Sequence, residues 1–190
     1  KYGAEFVQRA SKKIIVDSEK MSRAKLAGLP DGVWRSREYG DHSGTVEKPF
    51  KVACTMTKKG DEITFDYTGS SPQNEGSING TYSGAWGNLF VALASQLFWE
   101  VSWNGGMMAP VTFIAPEGTV VNCRFPAAVS QLPPTVGCMI TQTACECIHK
   151  MFYTMGKYHQ DVTSGWQGGH GAPYFGGINQ YGAPCVGGIL

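Results

Sequence analysis

The 190 residues are 42% hydrophobic and 16% charged, enough apolar content to bury a core within one domain and too much for a disordered or fibrous chain. Lysine and arginine total 16 against 15 for aspartate and glutamate, so bulk charge gives no footprint for nucleic acid. The strongest membrane candidate, Leu89 to Trp99, is far shorter than the ~20 apolar residues a span requires, and it reads as a buried helix.

In chain order, Phe6, Val7, Ala10, Ile14, Met21 and Ala24 recur at roughly helical spacing between lysines, arginines and glutamates, which predicts a helix over 2–26. Gly28 and Pro30 stop it. Turn signals at Asp31-Gly32 and Asp41 to Gly44 bracket a short extended piece. Phe50, Val52, Cys54 and Met56 alternate, "KKGD" turns, and Ile63, Phe65 and Tyr67 alternate again; this predicts a strand pair with one face on a core and the threonines and lysines on the other. A mostly apolar helix is expected over 82–101, with Glu100 as its one formal charge. Pro110, Pro116 and Pro126 then break the extended pieces into short edge strands and turns. A last helix is expected over 135–154. The fold class that follows is α+β: antiparallel strands with two or more largely buried helices, part of a larger subunit. Residues 1–155 would form its core region, and the Gly/aromatic-rich segment 156–190 would continue the same domain. Both ends read as interrupted, as expected of a piece of a longer polypeptide.

The six cysteines lack the short regular framework of a small secreted domain, so reduced thiols and a cytoplasmic location are expected. Cys138, Cys145 and His149 would share one helical face, where they could ligate a soft metal or simply pack.

Candidate chemistry begins in "DYTGSSPQNEGSIN". Asp66 precedes a loop in which Ser70, Ser71, Gln73 and Asn79 could orient a bound carbonyl or carboxylate; alternatively, these side chains bond neighbouring backbone and fix a turn. Glu117 in "APEGT" is a candidate acid or base inside ordinary turn sequence. Trp103, Asn104 and Gly105 of "WNGG" could approach a ligand closely or serve a turn. Farther on, His159, Asp161 and His170 supply two imidazoles and a carboxylate, a set that suits a divalent metal with open positions.

Four blocks, "LPDGVWRSREYGD", "DYTGSSPQNEGSIN", "NGGMMAPVTFIAPEGTVVN" and "FPAAV", resemble in order the B-type subunit of hydantoinases, 5-oxoprolinases and the acetone and acetophenone carboxylases. The resemblance runs over 2–153 and is far weaker beyond His159. It implies that ATP activates the substrate on an A-type partner subunit, and that the B-type part completes ring opening or carboxylation in a hetero-oligomer. Some such proteins carry a metal, zinc or manganese. Their His/Asp metal motif belongs upstream of the blocks matched here. Residue chemistry, apart from the resemblance, assigns Asp66 and Glu117 as candidate catalytic groups, Ser70, Ser71, Asn79, Trp103, Asn104 and Gly105 as substrate-binding, and His159, Asp161 and His170 as the candidate metal set. The expected reaction is carboxylation of a ketone, because Trp86, Trp99, Trp103, Trp166 and Phe175 would suit an aryl substrate. Hydrolysis of a cyclic amide, hydantoin or 5-oxoproline, and a noncatalytic assembly role are the alternatives. No G-x-x-x-x-G-K-[ST] loop is present, so the chain on its own should be inactive with ATP.

Overall fold

A computed structural model describes residues 2–43, 45–156, 158–160, 162 and 174–188. Helix α1 (Ala4–Ala27) leads into strand β1 (Gly32–Gly40), then β2 (Phe50–Lys59) and β3 (Glu62–Asp66). Helix α2 (Tyr82–Gln96) crosses to β4 (Val111–Ile114), and a π-helical turn (Pro133–Gly137) opens α3 (Cys138–Thr154). A hairpin of β5 (Tyr174–Ile178) and β6 (Pro184–Gly188) forms a second, two-stranded sheet.

The main sheet runs in the order β1-β2-β3-β4. Its first pairings are antiparallel, with Trp34 opposite Met56 and Met56 opposite Phe65. The last, β3 with β4, is parallel, because α2 returns the chain to its starting end, as a crossover between parallel strands requires. The architecture is thus α+β with a mostly antiparallel sheet.

Period-2 alternation decides which face is buried. Phe50, Val52, Cys54 and Met56 of β2 and Ile63 and Phe65 of β3 are buried, and α3 packs over β1 and β2 on that side. One lysine departs from the expected polar face: Lys58 follows Met56 on the inner side and is buried. Its ammonium is satisfied by the Leu29 carbonyl and by Asp31 Oδ1 at 2.8 Å, so the charge is paired rather than stranded. Asp31 also accepts the Gly60 N–H at 2.9 Å. Its carboxyl is held below the usual range, first by Lys58 and then by that amide.

Element ends differ from the sequence expectation for local reasons. The piece after Asp31 is a nine-residue strand, since its whole length finds partners on β2. Helix α2 ends at Gln96 rather than at 101, where Leu97 and Phe98 both donate to the Leu93 carbonyl and the chain turns to bury Phe98 and Val101. Residues 133–137 form a π-helical turn in which the Gly137 N–H donates to the Leu132 carbonyl five residues back, so α3 proper starts three residues later than expected, at Cys138.

Helix α1 turns its apolar stripe outward. Ser18, Ser22 and Leu26 face the body, while Val7, Ile14 and Met21 lie on an exposed stripe. No helix among the described residues is long and apolar enough to cross a membrane.

Candidate functional site

The loop after β3 is tied along β2 where β3 no longer reaches. Ser70 Oγ accepts the Ala53 N–H at 3.0 Å and donates to the Ala53 carbonyl at 3.3 Å. Ser71 Oγ accepts the Lys51 N–H at 2.9 Å, and its own amide donates to the Lys51 carbonyl at 2.8 Å. These hydroxyls therefore stand in for the ladder bonds of a missing strand. Asn79, fully buried, donates from Nδ2 to the carbonyls of Asn74, Gly76 and Ala128 and accepts the Asn74 N–H at 2.9 Å. Asp66 sits half-buried at the end of β3, with Oδ1 accepting the Thr68 N–H at 2.8 Å in an Asx turn.

The loop after β4 zips onto this one. Gln73 donates its amide to the Gly118 carbonyl, Val120 to that of Ser71 and Gly80 to that of Val120. Glu117 rides on the outside of this pairing, 3.4 Å from Arg124, with both side chains more than 60% exposed (64% and 63%). The structure thus joins the two loops but turns Glu117 toward solvent.

Trp103, Asn104 and Gly105 lie elsewhere, against α1. Asn104 Nδ2 donates to Ser18 Oγ at 2.8 Å and its Oδ1 accepts the Gly106 N–H at 2.8 Å. Trp103 is 68% exposed and meets Phe90 edge-on. The close approach belongs to Gly106 rather than Gly105: a Cβ on Gly106 would stand 1.9 Å from the Ile15 carbonyl oxygen, whereas one on Gly105 would meet nothing. His159 is exposed, stacks on Tyr153 and donates from Nε2 to the Tyr153 carbonyl at 3.2 Å. Asp161 and His170 lie outside the described residues. Among the described residues no group of three or more His, Cys, Asp or Glu side chains could hold a metal.

The aromatics behind the aryl-ketone expectation go to different neighbours. Trp86 packs on Phe113 together with Tyr67 and Tyr82, Lys25 Nζ lies 3.4 Å over the Trp99 ring, and Trp103 meets Phe90. Trp166 and the Phe175 side chain are not among the described residues. Cys145, Cys147 and His149 are buried on α3. Burial pushes the Cys145 thiol up to about 12 and drives the Cys54 thiol well up, the opposite of what a nucleophilic cysteine needs.

A polar cavity of about 610 Å³ opens beside the loop, lined by residues of β1, β2 and α3. Arg35, Arg37, Lys51 and Lys150 line it with Glu146, and Thr68 and Gly69 form the end nearest Asp66. Glu146 accepts a short hydrogen bond from the Ser36 hydroxyl and lies 3.4 Å from Lys150. Burial and the neighbouring Glu146 raise the Glu38 carboxyl. Sequence reasoning missed this group. The local signal was "WRSRE" in an alternating strand, which places Arg35 and Arg37 on one face.

Against known proteins, the family model described as Hydantoinase B/oxoprolinase matches residues 1–189. A Pseudomonas sp. (strain NS671) protein, provisionally named as the B-type subunit of a D-/L-hydantoinase, is 32% identical over 138 residues, covering 67% of this chain and 23% of its own. An uncharacterized protein of Methanocaldococcus jannaschii is 26% identical over 130 residues, 68% of this chain and 22% of its own. Among solved structures, the ATP-dependent caprolactamase of Pseudomonas jessenii superposes with a TM-score of 0.79 at 18% identity, over 97% of this chain and 31% of that one. Nucleotide-free acetone carboxylase gives 0.79 at 18% identity, over 91% and 24%. The chain therefore spans under a quarter of the length of the curated relatives it matches.

Proposed function

The chain belongs to the Hydantoinase B/oxoprolinase family, and from that premise we propose that it is part of a B-type subunit whose assembly opens a cyclic amide, a hydantoin or 5-oxoproline ring, with ATP. The observation that carries this reading is the 32% identity to the B-type hydantoinase relative. Ketone carboxylation, expected from aromatic content alone, is the alternative; Trp86, Trp99 and Trp103 meet different neighbours, Phe113, Lys25 and Phe90.

An A-type partner handling ATP completes the proposal. The exposed stripe of Val7, Ile14 and Met21 on α1 supports a protein partner, since contiguous apolar surface on a soluble protein marks an interaction face. Reduced thiols fit a cytoplasmic assembly supplied with ATP, and the described cysteines Cys54, Cys123, Cys138, Cys145 and Cys147 form no disulfide with one another. A divalent metal, zinc or manganese, also belongs to the proposal, with His159, Asp161 and His170 as its ligands. His159 fits that role in one respect: its Nε2 is committed to a backbone carbonyl, the usual orientation device for an imidazole that ligates through its other nitrogen.

The test is a substrate panel on the whole assembly. ADP release should depend on hydantoin or 5-oxoproline and not on acetone with bicarbonate; the reverse dependence would replace the amide reading with the ketone one.

A further inference from the structure

The cavity beside the loop carries a charge imbalance that the rest of the molecule does not. Its lining has four cations, Arg35, Arg37, Lys51 and Lys150, against the single carboxylate Glu146, whereas the whole chain has 16 against 15. The one carboxylate is already engaged by Ser36 and Lys150. Among the described residues no ion pair uses Arg35, Arg37 or Lys51.

Strand register brings three of these cations, Arg35, Arg37 and Lys51, onto the sheet face turned away from α3, while Lys150 of α3 reaches the Arg35 carbonyl at 2.8 Å. Arg35 and Arg37 are two residues apart on β1 and share a face. Arg37 stands opposite Ala53, and Lys51 is opposite Tyr39, so Lys51 is the diagonal neighbour of Arg37 across the pair. Like charges so placed repel one another. Ala53 leaves room between them. At the far end, Gly69 lines the cavity with φ +93°, and its N–H donates to no protein acceptor among the described residues. Thr55 and Thr68 add hydroxyls to the same wall.

We propose that this cavity binds a small organic oxyanion, a carboxylate or a phosphate ester, gripped by the guanidinium groups of Arg35 and Arg37 with Lys51 beside them. Guanidinium forks match carboxylate and phosphate oxygens two at a time, and the free Gly69 amide supplies a further donor of the kind that lines anion sites. The volume of about 610 Å³ holds an organic group as well as the anionic head, and lies within the usual small-molecule range of about 300–1,000 Å³. This assignment stands on the cavity and not on the family reading, so failure of either leaves the other in place.

The experiment is calorimetric titration of the intact protein, at low ionic strength, with inorganic phosphate and separately with glutarate. Variants are Arg35→Gln/Arg37→Gln, Arg37→Lys, and Lys12→Gln as a control on exposed α1. At least one anion should saturate, and the double variant should weaken it by about tenfold or more. Arg37→Lys should fall between, because it keeps the charge and loses the fork. Lys12→Gln should bind as the parent does. Phosphate binding alone identifies a phosphate-bearing ligand, and glutarate binding alone a carboxylate. Both arginines are exposed, so the double variant keeps the fold, which its thermal melt verifies. Saturation by neither anion, or equal weakening by Lys12→Gln and the double variant, would overturn the assignment.

Discussion

The Ser70 hydroxyl accepts the Ala53 N–H at 3.0 Å and returns a bond to the Ala53 carbonyl at 3.3 Å, so one buried side chain occupies both backbone groups of a β2 residue beyond the end of β3. Ser70→Ala leaves both without a partner and should destabilise the protein by about 1–3 kcal/mol. Asn79→Ala removes a fully buried amide that serves three carbonyls and one N–H, and should cost about 3 kcal/mol or more. Urea unfolding of both variants measures the ordering. Neutral effects would mean that the loop is held by other contacts.

Ser22 gives the opposite sign. Its hydroxyl is buried on α1 with no hydrogen-bond partner among the described residues. Ser22→Ala removes an unsatisfied group and adds a better helix former, so it should stabilise the protein by about 0.5–1 kcal/mol. A rise in Tm of roughly 1–4 °C is the expected readout; a fall would show that the hydroxyl has a partner.

The buried thiols predict a loss of stability in alkali. Burial holds the Cys145 thiol protonated up to about 12 and drives Cys54 well up, whereas the same thiols in the unfolded chain ionise near ~8.5. Above that value the unfolded state gives up protons first, so stability complete at neutral pH declines as pH rises toward about 12. Urea melts at neutral, mildly alkaline and strongly alkaline pH read this directly. Native Cys54 and Cys145 should also resist a thiol reagent that labels them in denaturant. Flat stability across the window would show that these thiols titrate normally.

The proposed metal is tested by elemental analysis of the whole assembly. Zinc or manganese should be present and should drop in both His159→Ala and His170→Ala. Unchanged metal in the two variants would remove both histidines from the ligand set.

Much of this architecture was legible because burial alone sets the strand alternation. Phe50 to Met56 and Ile63 to Tyr67 fall on the core side as their period-2 pattern requires. Helix α1 was legible as a helix but not in its orientation, since periodicity finds an apolar stripe without saying what covers it; here Ser18 and Ser22 face inward and Val7, Ile14 and Met21 outward. Lys58 was invisible as a buried residue, because its partners, Leu29 and Asp31, lie about thirty positions away (29 and 27). The cationic cavity was hidden for the same reason. It depends on bringing β1, β2 and α3 together, and only the Arg35-x-Arg37 spacing is local.

ATP-dependent opening of a cyclic amide is the role proposed for this chain, and one competition measurement tests it most directly. The complete assembly is supplied with ATP, a cyclic amide (hydantoin or 5-oxoproline), acetone and ¹³C-bicarbonate in one mixture, and products are followed by mass spectrometry. Ring-opened product should accumulate in proportion to ADP, with no ¹³C entering any organic acid. A ¹³C-labelled carboxylated ketone formed in proportion to ADP, with the ring left intact, would contradict that role.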